Sequence, residues 1–142
     1  MTRQHDECMK KGKIKTFSRG KALAPKEIET ARLDLERARK TREEGDYKWA
    51  TVQLYYSMFH SARALLYLKN LREHSHYCLI AAIKTLYVGE GLMPGNLLDA
   101  LQEAKDLRED ADYYSRWSEK SCIRLLKLAE DFLRKAEELI NS

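Results

Sequence analysis

From residue 26 onward, apolar residues recur at spacings of three and four, the period of a helix that turns one face inward. Ile28, Ala31, Leu35 and Ala38 make a first narrow stripe, and Gly45 supplies its stop. Asp46 can cap a second helix from Tyr47 to about Leu71, which carries Tyr55, Met58, Phe59, Ala62, Leu65 and Leu66 on one broad face. So wide a face suits a central helix packed on several sides. Ser75 can cap a third helix with the stripe Leu79, Ala82, Ile83 and Leu86, closed before Gly89 and Gly91. Asn96 can cap a fourth with Leu97, Leu101 and Ala104. Ser115 or Ser118 can cap a fifth with Cys122, Leu125, Leu126, Ala129, Leu133, Ala136 and Ile140. Short connections make neighbours antiparallel, so the expected fold is all-α, an antiparallel up-and-down bundle of about five helices without internal repeats.

Composition sharpens this picture at the N-terminus. Residues 1–24 hold seven Lys or Arg against Asp6 and Glu7, whereas the rest of the 142-residue chain carries 19 basic and 20 acidic residues. The +4 net charge therefore belongs to the leader, which shows no sustained apolar period. Residues 1–24 are expected to be a basic, flexible tail and 25–142 the bundle domain, with Pro25 in the first turn and the helix proper starting near Lys26. With only two prolines and six glycines, the chain lacks the turn residues of an all-β fold. The longest apolar run, Tyr77 to Ile83, is far below the roughly 20 residues a membrane-crossing helix needs. Cys8, Cys78 and Cys122 are widely spaced and contain no CxxC pair, so neither a disulfide framework nor a zinc site is signalled, and a reducing cytoplasm is the expected location.

One position breaks the fourth stripe: after Leu97, Leu101 and Ala104 it reaches Arg108 before Ala111. A guanidinium aimed at an apolar seam needs a partner. Asp112, one turn on, can supply it, with Tyr113 and Tyr114 alongside. The pair can simply lock a helix end, or the guanidinium can recognise phosphate. Tyr56, His60 and Arg63 line one flank of the second helix, where packing and ligand contact are both open. His74, His76 and Cys78 are metal-ligand types, but residues two apart point to different sides of a helix, and no metal is expected. Asp106, Glu109 and Asp110 read as a solvated face rather than a magnesium site. Neither a glycine-rich phosphate loop nor a GxSxG element is present.

Three segments in order, YYSMFHSARALLYLKN from Tyr55, REHS from Arg72 and REDADY from Arg108, resemble the HEPN domain in its small prokaryotic stand-alone branch, over about residues 26–141. The resemblance implies a helical bundle that forms a homodimer, a polar cleft near the two-fold axis, and a minimal nucleotidyltransferase-type partner in a toxin–antitoxin-like pair. It implies nucleotide or RNA phosphate binding by Arg108, Asp112, Tyr113, Tyr114, Tyr56 and His74, with no cofactor.

Many proteins of this family are metal-independent endoribonucleases with an Arg-x4-6-His motif. Here Arg108 matches, but Tyr113 stands at the first histidine position, with Tyr114 and Ser115 at the longer spacings. An unperturbed tyrosine titrates near 10, so acting as a base near neutrality requires a shift of about three units. RNA cleavage would therefore pair Arg108 with a histidine from elsewhere, His60 first and His74 second. A non-catalytic interaction module is the third expectation.

Overall fold

The computed structural model describes residues 3–142. Four long helices build an up-and-down bundle: α2 (Gly20–Glu43), α3 (Tyr47–Leu68), α5 (Gly95–Tyr113) and α6 (Glu119–Ile140). Two further helices, α1 (Arg3–Lys10) and α4 (His76–Ile83), pack on one another, and two short strands, β1 (Ile14–Thr16) and β2 (Leu71–Glu73), pair antiparallel in the register Ile14↔Glu73. The all-α bundle is the fold the stripes predict, with six helices among the described residues instead of five.

Cross-helix contacts fix the directions. Gly20, Glu27 and Ala31 of α2 meet Tyr67, His60 and Ser57 of α3 in reverse order. Arg32 and Arg39 of α2 pair with Glu137 and Glu130 of α6, and Glu103 of α5 pairs with Arg124 of α6. Every such pair of neighbours is antiparallel. α3 is the hub, packing against α2, α5 and α6. It buries Leu54, Met58, Leu65 and Leu66 almost completely, together with the small residues Ser57, Ser61, Ala62 and Ala64 that let its neighbours approach.

Several terminal signals act as expected. The Asp46 carboxylate accepts from the Trp49 N–H, Ser75 from Cys78 and Ser118 from Ser121. Gly45, at φ +82°, closes the turn between α2 and α3. At α5 the reading shifts, because Pro94 and not Asn96 occupies the cap. In the third predicted stripe, a π turn over Lys84–Val88 follows α4 and rotates the later positions, so Tyr87 is buried and Leu86 only partly so. The Tyr87 hydroxyl donates to the Leu65 carbonyl at 2.5 Å.

The largest departure is the leader. Residues 1 and 2 lie outside the described residues, but the rest of the expected tail forms α1, β1 and the first turn of α2. α2 begins at Gly20, five residues before Pro25. Proline removes only one bond there, and the end of α3 supplies the cap: Asn70, at φ +56°, accepts the Lys21 N–H on its side chain at 2.9 Å. A cap delivered from 49 residues away leaves no local signature. A Cys8–Cys78 disulfide joins α1 to α4, with 5.8 Å between the Cα atoms. The expectation of no disulfide fails because spacing in sequence says nothing about two cysteines 70 residues apart that a folded-back helix brings together.

Gly20 itself sits where a Cβ would lie 2.5 Å from the Tyr67 carbonyl oxygen. Backbone on both sides must move to relieve that overlap. Gly20→Ala is expected to destabilise by about 1–3 kcal/mol in denaturant unfolding, although alanine ordinarily favours a helix over glycine.

Candidate functional site

Because α5 runs antiparallel to α3, the last turns of α5 lie against the first half of α3. Arg108 comes to rest over the paired tyrosines. Its guanidinium carbon is 5.6 Å from the Tyr55 ring centre, 5.7 Å from Tyr56 and 5.8 Å from Tyr113, so three aromatic rings surround one cation. The Nη2–H donates to the Tyr56 hydroxyl at 3.3 Å. Nε lies 3.0 Å from Asp112 Oδ2, close enough for an ion pair, yet its N–H is not aligned for a hydrogen bond. The Arg108 side chain retains 23% of its exposure. A guanidinium has five donors, and a planar fork held in place by rings keeps edges that an oxyanion can meet.

Under this cation runs a second layer. The Tyr55 ring is buried, and its hydroxyl is 3.3 Å from His76 Nδ1 at the start of α4. Burial pushes the Tyr55 phenol up to about 12, against the pull of Arg108. Burial also lowers His76 to about 4, assisted by Lys105 and opposed by Glu109 and Asp106. Phe59 continues the aromatic layer, 6.0 Å from Tyr55.

His76 is therefore neutral in the fold at pH values where the unfolded chain protonates it. Between its ordinary value of 6.5 and about 4, the unfolded state holds more protons, so stability should fall as pH drops through that window. Replacing His76 with Asn should flatten the fall in a series of chemical unfolding curves. An unchanged slope would mean that other groups carry the acid sensitivity.

The structure brings four of the expected residues together, Arg108, Asp112, Tyr113 and Tyr56, and leaves the others apart. Tyr114 turns to Arg116, 5.9 Å away. His60 faces α2: its Nδ1 is 2.6 Å from Glu27 Oε2 and its Nε2 4.0 Å from Asp34 Oδ2. Arg63 forms a two-pronged pair with Glu73 of β2 and covers Phe59 at 4.4 Å. His74 is exposed, and its backbone N–H bonds to the Lys13 carbonyl at 2.8 Å. Cys78, spent in the disulfide, is not available as a metal ligand. In the sequence His76 reads only as a residue of metal-ligand type. Its place beneath the tyrosine pair depends on how α4 packs on α3, which no local signal encodes.

A cavity of about 500 Å³ lies away from this cluster, at the C-terminal end of α3 between Lys21, Lys69, Tyr87 and Leu139. Arg108 is not among the residues that line it.

Comparison with known proteins agrees with the segments that carry the resemblance. A family model described as HEPN domain matches residues 24–141. The chain is similar to a UPF0332 protein of Archaeoglobus fulgidus, 35% identical over 106 residues that make up 73% of this chain and 84% of the relative. It is also similar to two proteins of Methanocaldococcus jannaschii, each named "Putative toxin". One is 35% and the other 28% identical over 86 residues, 61% of this chain in both cases. The matches span 64% and 58% of those two relatives, under two thirds of their length. With the family model covering the bundle from the second turn of α2 to the end of α6, the chain belongs to the HEPN domain family.

Proposed function

We propose that the protein binds the phosphate of a nucleotide or RNA at Arg108, as a homodimer working with a nucleotidyltransferase-type partner in a toxin–antitoxin-like pair. The single observation that carries this reading is the Arg108 guanidinium, held among Tyr55, Tyr56 and Tyr113 while still reaching solvent. A cation whose only task was to lock a helix end would need Asp112 alone. Ringed by aromatics, it is preorganised for an anion, and exposed Tyr113 offers a face to the attached base or sugar. No helix among the described residues is long and apolar enough to cross a membrane. With Cys8 and Cys78 bonded, the cysteines no longer argue for a reducing compartment, so a cytoplasmic location rests on the ligand.

Metal-independent RNA cleavage is the second reading, favoured by the toxin names of the two Methanocaldococcus relatives. It needs a proton acceptor beside Arg108. His60 is engaged by Glu27 and Asp34 on α2, and His76, held at about 4, is a weak base at neutral pH. Phosphate binding requires neither.

The test is to titrate the pure protein with ATP and with a short single-stranded RNA, and to incubate it with structured and unstructured RNAs in excess chelator. Saturable, salt-sensitive binding with the RNAs intact supports the proposal. Chelator-resistant cleavage lost in both Arg108→Ala and His60→Ala, with folding retained, makes the enzyme reading the better one. Absence of both binding and cleavage leaves a helical interaction module.

A further inference from the structure

Next to the Arg108 cluster lies a second group of exposed aromatic side chains that phosphate binding does not use. Trp49 is 50% exposed and Trp117 47%. Trp49 belongs to the first turn of α3, and Trp117 to the connection between α5 and α6. The Lys48 ammonium stands between them, 5.3 Å from the Trp49 ring centre and 5.7 Å from that of Trp117. Trp49 is seven residues before Tyr56, two helical turns along one face of α3, which is about 10 Å. A single lane thus leads from the three-ring arginine site to the tryptophan pair.

The connection that presents Trp117 is held at both ends. The Asp110 carbonyl accepts from the Tyr114 and Arg116 N–H groups at 3.1 and 2.9 Å, with Ser115 in the left-handed region at φ +51° between them. Ser118 then caps α6. The ring is therefore displayed from an anchored turn. Large aromatic residues are seldom left clustered on a surface without a partner.

We propose that Trp49 and Trp117, with Lys48 between them, form a base-stacking subsite that continues the Arg108 site and makes the protein prefer unpaired RNA over duplex. The inference rests on phosphate binding at Arg108. Charge decides between RNA and a second copy of the chain as the occupant. Trp49, Trp117 and Tyr114 alternate with Lys48 and Arg116, and an isologous contact through the tryptophan pair would set these two cations against their own copies. A single strand supplies what such a surface takes: anionic phosphates at regular intervals and bases with flat faces. In a duplex those faces are already stacked. The rise of about 10 Å along α3 from Tyr56 to Trp49 suits a ligand of more than one nucleotide.

Trp49 and Trp117 are the only tryptophans in the chain, so intrinsic tryptophan fluorescence reports on this subsite alone. The experiment titrates the full chain with a labelled six-nucleotide single-stranded RNA and with the same sequence as duplex, following tryptophan quenching and label anisotropy together. The expected result is quenching that saturates with the anisotropy for the single strand, and weaker binding of the duplex. Trp117→Leu and Trp49→Leu should each weaken single-strand binding by about 5- to 100-fold, while leaving the salt dependence, which counts phosphate contacts, unchanged. Both residues are half exposed, and circular dichroism checks that the variants stay folded. Anisotropy change without quenching, and full affinity in both variants, would overturn the subsite while leaving the Arg108 reading intact. If no RNA binds, the subsite falls, while the Arg108 reading stands or falls with the ATP titration. A homodimer that light scattering shows dissociating in the tryptophan variants assigns the patch to self-association and also overturns the proposal.

Discussion

Arg108→Ala is expected to weaken binding of ATP or short RNA by roughly 10- to 100-fold, the loss of one or two charge-assisted hydrogen bonds to phosphate, while unfolding stability changes by only about 1–2 kcal/mol. The small structural cost follows from the geometry. The pair with Asp112 is partly exposed and lacks an aligned hydrogen bond, so it contributes little, and the cation–π contacts add tenths to about 1 kcal/mol. Arg108→Lys keeps the charge without the planar fork and should fall between the two. Asp112→Asn removes the carboxylate that competes with phosphate for the guanidinium, so binding should be kept or strengthened. Calorimetric titration beside chemical unfolding separates the outcomes. If Arg108→Ala unfolds the protein, and Asp112→Asn destabilises it equally without any change in binding, the pair is a helix lock and phosphate recognition lies elsewhere.

The largest stability effect should come from Phe132→Ala. Phe132 lies in α6 with no exposed surface, among the side chains that α6 packs against α3 and α2. Emptying that volume is expected to cost about 3–5 kcal/mol and to lower the melting temperature by roughly 10 °C or more. Leu126→Ala, on the same helix but only partly buried, should cost about 1–2 kcal/mol. Phe59, which the broad face of α3 nominates for the core, is also only partly buried, under Arg63, whereas Met58 beside it is fully enclosed. Comparable losses in Phe132→Ala and Leu126→Ala would mean that α6 packs with a different face inward.

The core that the stripes nominate is largely the core observed, because a 3.6-residue period says which side of a helix is dry without reference to its neighbours. Leu97, Leu101, Ala104 and Ala111 are buried, and Arg108 is the anomaly on their line. Where the pattern slips, a neighbour has decided the outcome. The π turn exchanges Leu86 for Tyr87, and Phe132 takes the central place on α6 that Leu126 does not.

Local chemistry alone determined the helical class, the caps at Asp46, Ser75 and Ser118, the break at Gly45 and the segments that carry the family. Each depends on residues within a few positions of one another. The tertiary structure decided what depends on distant segments meeting. Asn70 starts α2 before its proline, and the returning α1 brings Cys8 to Cys78. His60 turns to Glu27 and Asp34, away from the candidate chemistry, while His76 enters beneath Tyr55. Arg108 and Tyr56 are 52 residues apart. Their meeting, and with it the site, follows from the antiparallel packing of α5 on α3, because the period of one helix shows which residues face a partner but not which partner they face.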